Sequence, residues 1–173
     1  MSNGNGRCSV FLYDPARIGS SGPGGTMDAP RYERYSSVPL FDGLKPEEIG
    51  ALLGYSKEVI VEPGDVVISE GEIPVHFFII AEGTLDVIKS DGKNPKVLAR
   101  LSDLSSFGEM GLVCDRRHTA SVVAISRSRL RSFSIIKFQQ LLEFQDRTVY
   151  RMVLGLARLI AMRLQSSDHR RVN

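Results

Sequence analysis

A glycine followed by a carboxylate, Gly108-Glu109, sits between Phe107 and the short run Met110-Gly111-Leu112. A basic loop, Arg116-Arg117-His118-Thr119-Ala120, comes next and leads into the apolar stretch Val122-Val123-Ala124-Ile125. Each residue type has a task in holding a sugar phosphate. Gly108 lets the backbone come close to a ligand. Amide groups that open a turn point at an anion. Glu109 accepts hydrogen bonds from sugar hydroxyls, and a cation after the turn neutralises phosphate. The candidate ligand-binding residues are therefore Gly108, Glu109, Met110, Gly111, Arg116, Arg117, His118, Thr119 and Ala120.

The order and spacing of this segment resemble the phosphate-binding cassette of the cyclic-nucleotide-binding domain family, which includes catabolite activator proteins and kinase regulatory subunits. That cassette reads Phe-Gly-Glu-Leu/Met-Ala/Gly-Leu, a short variable loop, then Arg-Ser/Thr-Ala. Phe107 to Leu112 match it, as do Thr119 and Ala120, and the family's phosphate arginine falls on His118. Arginine offers a planar, permanently charged fork that binds two phosphate oxygens at once. Histidine offers one donor per nitrogen and titrates near pKa ~6.5, so it is mostly neutral at pH 7. A hydrogen bond to a charged group is worth ~1.5–3 kcal/mol, and losing one lowers affinity roughly tenfold to a hundredfold. His118 is thus either a protonatable phosphate partner or an ordinary residue that starts a strand. Arg117, shifted by one position, is the alternative cation, and the bland reading of Arg116 and Arg117 is two solvated loop charges. A second departure precedes the cassette: where the family has a Gly-Pro-Gly-Asp-like turn, this chain has Ser102-Asp103-Leu104-Ser105-Ser106.

The elements that must position these residues are legible as short strands between turn signals. Glu58–Val61, Val66–Ser69, Phe77–Ile80, Thr84–Lys89, Val97–Leu101, Ala120–Ile125 and Arg131–Ile135 are separated by Pro63-Gly64-Asp65, Glu70-Gly71-Glu72, Glu82-Gly83 and Asp91-Gly92. So many turns without intervening helices predict a mainly β fold, an antiparallel jelly-roll β-barrel with flanking helices, over a βαβ sheet. The Pro-Gly-Asp turn, the Glu-Gly-Glu turn and the Phe-Ile-Ile-x-x-Gly strand also recur in this order in the resembling family, so the likeness spans about Val38 to Leu164. Asp86, on an alternating strand, is expected on its solvent face.

A short N-terminal helix is expected after Phe41, with Pro46 in its first turn, Glu47 and Glu48 near its positive end, and Ile49, Leu52 and Leu53 buried. Gly54 is its stop. Two helices close the chain: Lys137–Phe144, and a longer one capped by Asp146 and running to about Ser166. About twenty residues reach roughly 30 Å, more than a lid on a small barrel needs. On this last helix Val149, Val153, Leu156, Ile160 and Leu164 form one stripe, Tyr150, Leu154, Ala157 and Ala161 form a second beside it, and Met152 and Leu159 form a third. So wide an apolar surface is either buried on two sides within the monomer or pairs with another copy. In the resembling family this helix often forms a dimer interface. The expectation is a homodimer through Val149, Val153, Leu156 and Ile160. Arg151, Arg158 and Arg163 rule against a membrane span.

The chain has 173 residues, 42% of them hydrophobic, with a net charge of +2 and a pI near 8.6. That suits one domain with a normal core plus an arm, and is too balanced to imply bulk nucleic-acid affinity. Residues 1–36 hold six of the sixteen glycines together with Pro15, Pro23 and Pro30, broken by the apolar Val10-Phe11-Leu12-Tyr13. This arm is either a disordered tail or a segment that docks on a partner or neighbouring subunit; residues 37–173 form the domain. Cys8 and Cys114 have no metal-ligand or redox spacing, and the first residues lack a basic-then-apolar signal, so a cytoplasmic location is expected. His76, His118 and His169 are too dispersed for a metal site. No nucleophile elbow, Walker loop or Cys-His pairing is present, so no enzyme is expected. Arg127, Arg129 and Arg131 alternate, placing three cations on one face if extended: a patch for an acidic partner, or a solvated edge where charge discourages strand pairing.

Three functions follow. The first is a sensor that binds cyclic AMP or cyclic GMP and moves its last helix. The second, preferred because the departures fall on the phosphate side, is a non-catalytic, dimeric regulatory or interaction module. It does not depend on a cyclic mononucleotide, needs no cofactor, and has cyclic di-GMP as a further candidate ligand and a protein partner for the arm. The third, a DNA-binding regulator, is set aside, since seven residues after Ser166 leave no room for a helix-turn-helix.

Overall fold

His76–Glu82, which reads His-Phe-Phe-Ile-Ile-Ala-Glu, is buried at five consecutive positions, because both of its faces are covered. Phe77, Ile79 and Ala81 face a layer of helices. Phe78 and Ile80 face a second sheet. In the computed structural model, which describes residues 30–90, 94–114 and 116–169, the strands are β1 (Ser56–Val61), β2 (Val66–Ile68), β3 (His76–Glu82), β4 (Leu85–Ser90), β5 (Pro95–Leu101), β6 (Ser106–Phe107), β7 (Ser121–Ala124) and β8 (Ser128–Ser134). They form two four-stranded antiparallel sheets, β1-β8-β3-β6 and β2-β7-β4-β5, packed as a jelly roll. The expected barrel is thus two facing sheets. The two-residue β6, absent from the expected strands, pairs Phe107 with Phe78 and Ser106 with Ile79.

The helices are α1 (Pro30–Glu33), α2 (Pro46–Gly54), α3 (Ile135–Glu143) and α4 (Arg147–His169), with 3-10 turns at Arg34–Ser37, Pro39–Phe41 and Glu109–Leu112. Ile135, expected to end a strand, instead opens α3, because the Ser134 hydroxyl accepts from Lys137 N–H and caps the helix. Asp146 caps α4 as expected, its carboxylate accepting from Thr148 and Val149 N–H at 2.9 and 3.0 Å. Tyr35, counted with the arm by composition, is buried in the main core, so the packed unit begins before residue 37. The Val10–Tyr13 patch lies outside the described residues.

Two clusters make the core. Between the sheets, Phe78 stacks on Phe107 at 5.1 Å, among Val61, Ile68, Leu85, Val122 and Leu130. Between sheet and helices, Phe77 stacks on Phe133 at 4.7 Å, and Phe138 of α3 meets both rings edge-on at 5.1 and 5.8 Å.

Helix α4 is set by three contacts along its first half. Arg151 reaches both Glu48 oxygens at 2.6 and 2.8 Å and the Gly43 carbonyl at 2.6 Å. The backbone N–H of Lys45, and then Arg151, hold the Glu48 carboxyl below its ordinary pKa. Arg158 donates to Asp42 at 2.9 Å. Between them Gly155 is pressed against the Leu40 carbonyl, where a Cβ would fall 2.5 Å from the oxygen. Only glycine permits this approach.

That registration turns part of the first stripe into the core. Val149 and Leu156 are fully buried inside the chain with Met152 and Leu159, while Val153 and Ile160 are half-buried. The surface left open is the second stripe: Tyr150 is 50% and Leu154 61% exposed, and Ala157 and Ala161 are exposed as well. No helix of the described residues is long and apolar enough to cross a membrane.

Candidate functional site

The chain leaves β6 through Gly108, whose φ of +78° is in the left-handed region. A Cβ there would lie 3.0 Å from Ile68 Cδ1 and 3.1 Å from the His76 carbonyl, so strain and crowding both select glycine. The sharp turn starts the 3-10 segment Glu109–Leu112. Leu112 points into the core, Gly111 lies against Pro74 and Ile135, and Met110 is left 43% exposed. Glu109 is turned inward and is 1% exposed.

All nine expected site residues line one cavity of about 920 Å³ between the β2-β7-β4-β5 sheet, the Gly108 turn and α4. Ile68, Val87, Ala99, Leu101 and Val122 supply an apolar wall. The free thiol of Cys114 and the hydroxyl-bearing Ser106 also line it. Among the described residues there is no cluster of three His, Cys, Asp or Glu side chains able to hold a metal ion.

The loop that carries the cations is stitched to the β2–β3 turn. His118 N–H donates to the Glu72 carbonyl at 2.9 Å, and Gly71 N–H donates to the His118 carbonyl at 2.8 Å. Arg117 donates through Nη1 to the Gly71 carbonyl at 2.8 Å, which draws its guanidinium to the turn. Thr119 contributes its carbonyl to Lys89 Nζ at 2.7 Å, and the same ammonium pairs with Glu70. Two consecutive backbone bonds fix the register at residue 118, so bringing Arg117 into that slot would require breaking both. Burial pushes the His118 imidazole below its ordinary pKa, and the pull of Glu72 in the other direction is the smaller effect. At neutral pH the position offers an uncharged ring.

On the opposite side, Glu109 is met by a residue that the sequence reading placed only as a charge on the last helix. Arg163 Nη1 donates to Glu109 Oε1, and Nη2 donates to the Ser106 carbonyl at 3.2 Å. Glu109 Oε2 and Ser106 Oγ are buried with no hydrogen-bond partner among the described residues. A sequence signal for Arg163 existed. It lies four residues after Leu159, seven after Leu156 and eleven after Met152, in phase with the buried face rather than with Arg151 and Arg158.

The other singled-out charges are paired. Arg127 binds Glu62 at 3.1 Å, Arg129 binds Glu82 at 3.0 Å, and Arg131 binds Ser56 Oγ at 2.8 Å with Glu58 at 3.9 Å. The alternating cations are thus neutralised across strands by acids from β1, its following turn and β3. Asp86 is buried rather than solvated, because Arg100 covers it with two hydrogen bonds of 2.8 and 3.0 Å. The first of these holds its carboxyl below the ordinary range.

Comparison with known proteins places this site in context. The family model described as the cyclic nucleotide-binding domain matches residues 58–144. The potassium/sodium hyperpolarization-activated cyclic nucleotide-gated channel 2 of Mus musculus is 38% identical over 108 residues, 62% of this chain and 12% of that protein's length. The catabolite activator protein of Thermus thermophilus is 28% identical with a TM-score of 0.67, covering 76% of this chain and 61% of that one. The regulatory subunit of a cAMP-independent protein kinase A from Trypanosoma brucei is 24% identical with a TM-score of 0.61, covering 75% and 48%.

Proposed function

As this chain belongs to the cyclic nucleotide-binding domain family, we propose that it is a non-catalytic regulatory or interaction module that does not depend on a cyclic mononucleotide. The observation that carries this reading is the neutral, backbone-fixed imidazole of His118 in the slot of the phosphate cation. The sugar side of the site keeps its buried carboxylate, while the slot at residue 118 holds a ring in place of a permanent cation. A cyclic phosphate brought there would lose hydration without gaining a charged partner, and each such missing bond is worth ~1.5–3 kcal/mol. The Trypanosoma brucei neighbour, which carries the same fold in a kinase described as cAMP-independent, supports the reading. Calorimetric titration of the full chain with cyclic AMP, cyclic GMP and cyclic di-GMP tests it. Heats for the two mononucleotides are expected to stay unsaturated below roughly 100 µM, equivalent to binding weaker than about 5.5 kcal/mol. Saturable low-micromolar binding of either would overturn it.

The module acts as a homodimer through the open stripe of α4. Tyr150, Leu154, Ala157 and Ala161 follow each other at spacings of four, three and four residues, the repeat that keeps a seam facing a partner helix. The flanking Arg151 and Arg158 are already bound to Glu48 and Asp42, so their charges do not repel across the seam. Leu154→Glu is expected to turn a dimer into a monomer in sedimentation at micromolar concentration while leaving the melting temperature of the monomer near that of the parent. A concentration-independent monomer in the parent chain would remove the proposal.

A further inference from the structure

We propose that Arg163 is a built-in ligand surrogate: it occupies the sugar carboxylate from within the chain and latches the end of α4 over the cavity when no ligand is bound. The starting point is Glu109, a carboxylate 99% removed from solvent. A buried anion without a partner is strongly disfavoured, so something must supply donors. Of the three arginines that line the cavity, Arg116 is exposed and Arg117 is drawn to the Gly71 carbonyl, whereas Arg163 makes the pair.

Its grip is two-pronged. One guanidinium nitrogen holds Glu109 in the 3-10 turn and the other holds the Ser106 carbonyl in β6, so the fork spans the Phe107-Gly108 corner. These are the kind of donors that a sugar's hydroxyls would present to the same carboxylate. The helix needs such an anchor at this point. Leu159 is buried, and the next described side chains run outward, Ile160 half-buried and Ala161, Met162 and Arg163 exposed in spite of the contact. Arg163 also borders both the main cavity and a neighbouring one of about 410 Å³ beneath Leu104 and Leu159. With Leu101 and Ser106, which also line both, it separates the two. The contacts that hold the end of α4 here come from the chain's own residues, and a ligand that claims Glu109 Oε1 must displace the latch. Glu109 Oε2 and Ser106 Oγ, both buried and unpartnered, remain as the atoms on which an incoming hydroxyl would first be held.

The test uses the full chain without ligand, so it is independent of whether any nucleotide binds. Amide exchange is followed by mass spectrometry in the parent, Arg163→Gln, Arg163→Lys, Glu109→Gln and the double variant that combines Arg163→Gln with Glu109→Gln. In Arg163→Gln the amides of residues 160–169 are expected to exchange about tenfold faster, while those of 147–159 stay unchanged; half of the Arg163 side chain is exposed, which moderates the effect. Arg163→Lys, which keeps the charge and loses the fork, is expected to fall between. The double variant should exchange no faster than Arg163→Gln alone, since the two groups act as one pair. If Glu109→Gln does not fold, the two Arg163 variants still decide. Unchanged exchange in Arg163→Gln overturns the proposal. Acceleration spread evenly over strands and helices also overturns it, because that describes a general stabiliser and not a latch.

Discussion

Replacing His118 with arginine is expected to raise the affinity for cyclic AMP roughly tenfold to a hundredfold. The backbone at this position is held by the Glu72 and Gly71 bonds, which do not involve the side chain, so the loop keeps its course in the variant. What changes is the charge presented to the cavity. The half-buried imidazole is neutral at pH 7, with its pKa below the ordinary value, whereas a guanidinium stays charged at every accessible pH. Its fork can take two oxygens of one phosphate, which the ring cannot. Calorimetry with cyclic AMP checks the result, and His118→Gln, neutral like the parent, serves as the control with unchanged affinity. An arginine variant no tighter than the control would mean that the anion is not read at this position.

The second large effect is on stability. Phe138→Ala is expected to cost about 3–5 kcal/mol, lowering the melting temperature by roughly 10 °C. Phe138 is completely buried and sits edge-on to the stacked Phe77 and Phe133 rings, so it joins β3 and β8 to the helical layer. Truncation leaves a ring-sized hole between rigid aromatic neighbours that cannot collapse into it. Its helix neighbour Ile136 is 60% exposed, and Ile136→Ala should stay within about 0.5 kcal/mol of the parent. Thermal unfolding of the pair isolates burial from helix propensity. Equal losses in both would locate the stability elsewhere.

How far the sequence reaches can be seen at particular residues. The turn glycines and the continuous apolar run of β3 are local signals, and they led to an antiparallel jelly roll. Asp146 announced the start of α4 because a cap acts on the next three residues. The Gly108-Glu109 pair was readable for the same reason: a left-handed turn and an adjacent carboxylate are neighbours in sequence. β6 was not readable, since two residues, one of them serine, carry no period. Nor was the paired state of Arg127, Arg129 and Arg131, because their acids lie 47 to 73 residues away, on β1, the turn after it and β3. Asp86 followed its alternation to the outer side of the sheet, yet Arg100, brought opposite by the β4–β5 register, buries it. On α4 the sequence carried three apolar stripes and could not say which the core would take; it took Val149 and Leu156 of the first with Met152 and Leu159 of the third. Gly155 decided that. The stripe flanking its contact with Leu40 went inward, and Arg163 was carried with it into the cavity.

The same glycine governs how α4 can respond. With its backbone seated on the Leu40 carbonyl and Arg151 and Arg158 clamped on either side, the helix cannot slide along its axis. What remains is tilting about that seat, which makes residue 155 a fulcrum. The fourteen residues from there to His169 are an arm of about 21 Å. A rotation of about 10° at the fulcrum would carry the tip by roughly 4 Å and residue 163, about 12 Å out, by roughly 2 Å, which stretches the contact between Arg163 and Glu109 while the aromatic layer under the short arm stays where it is.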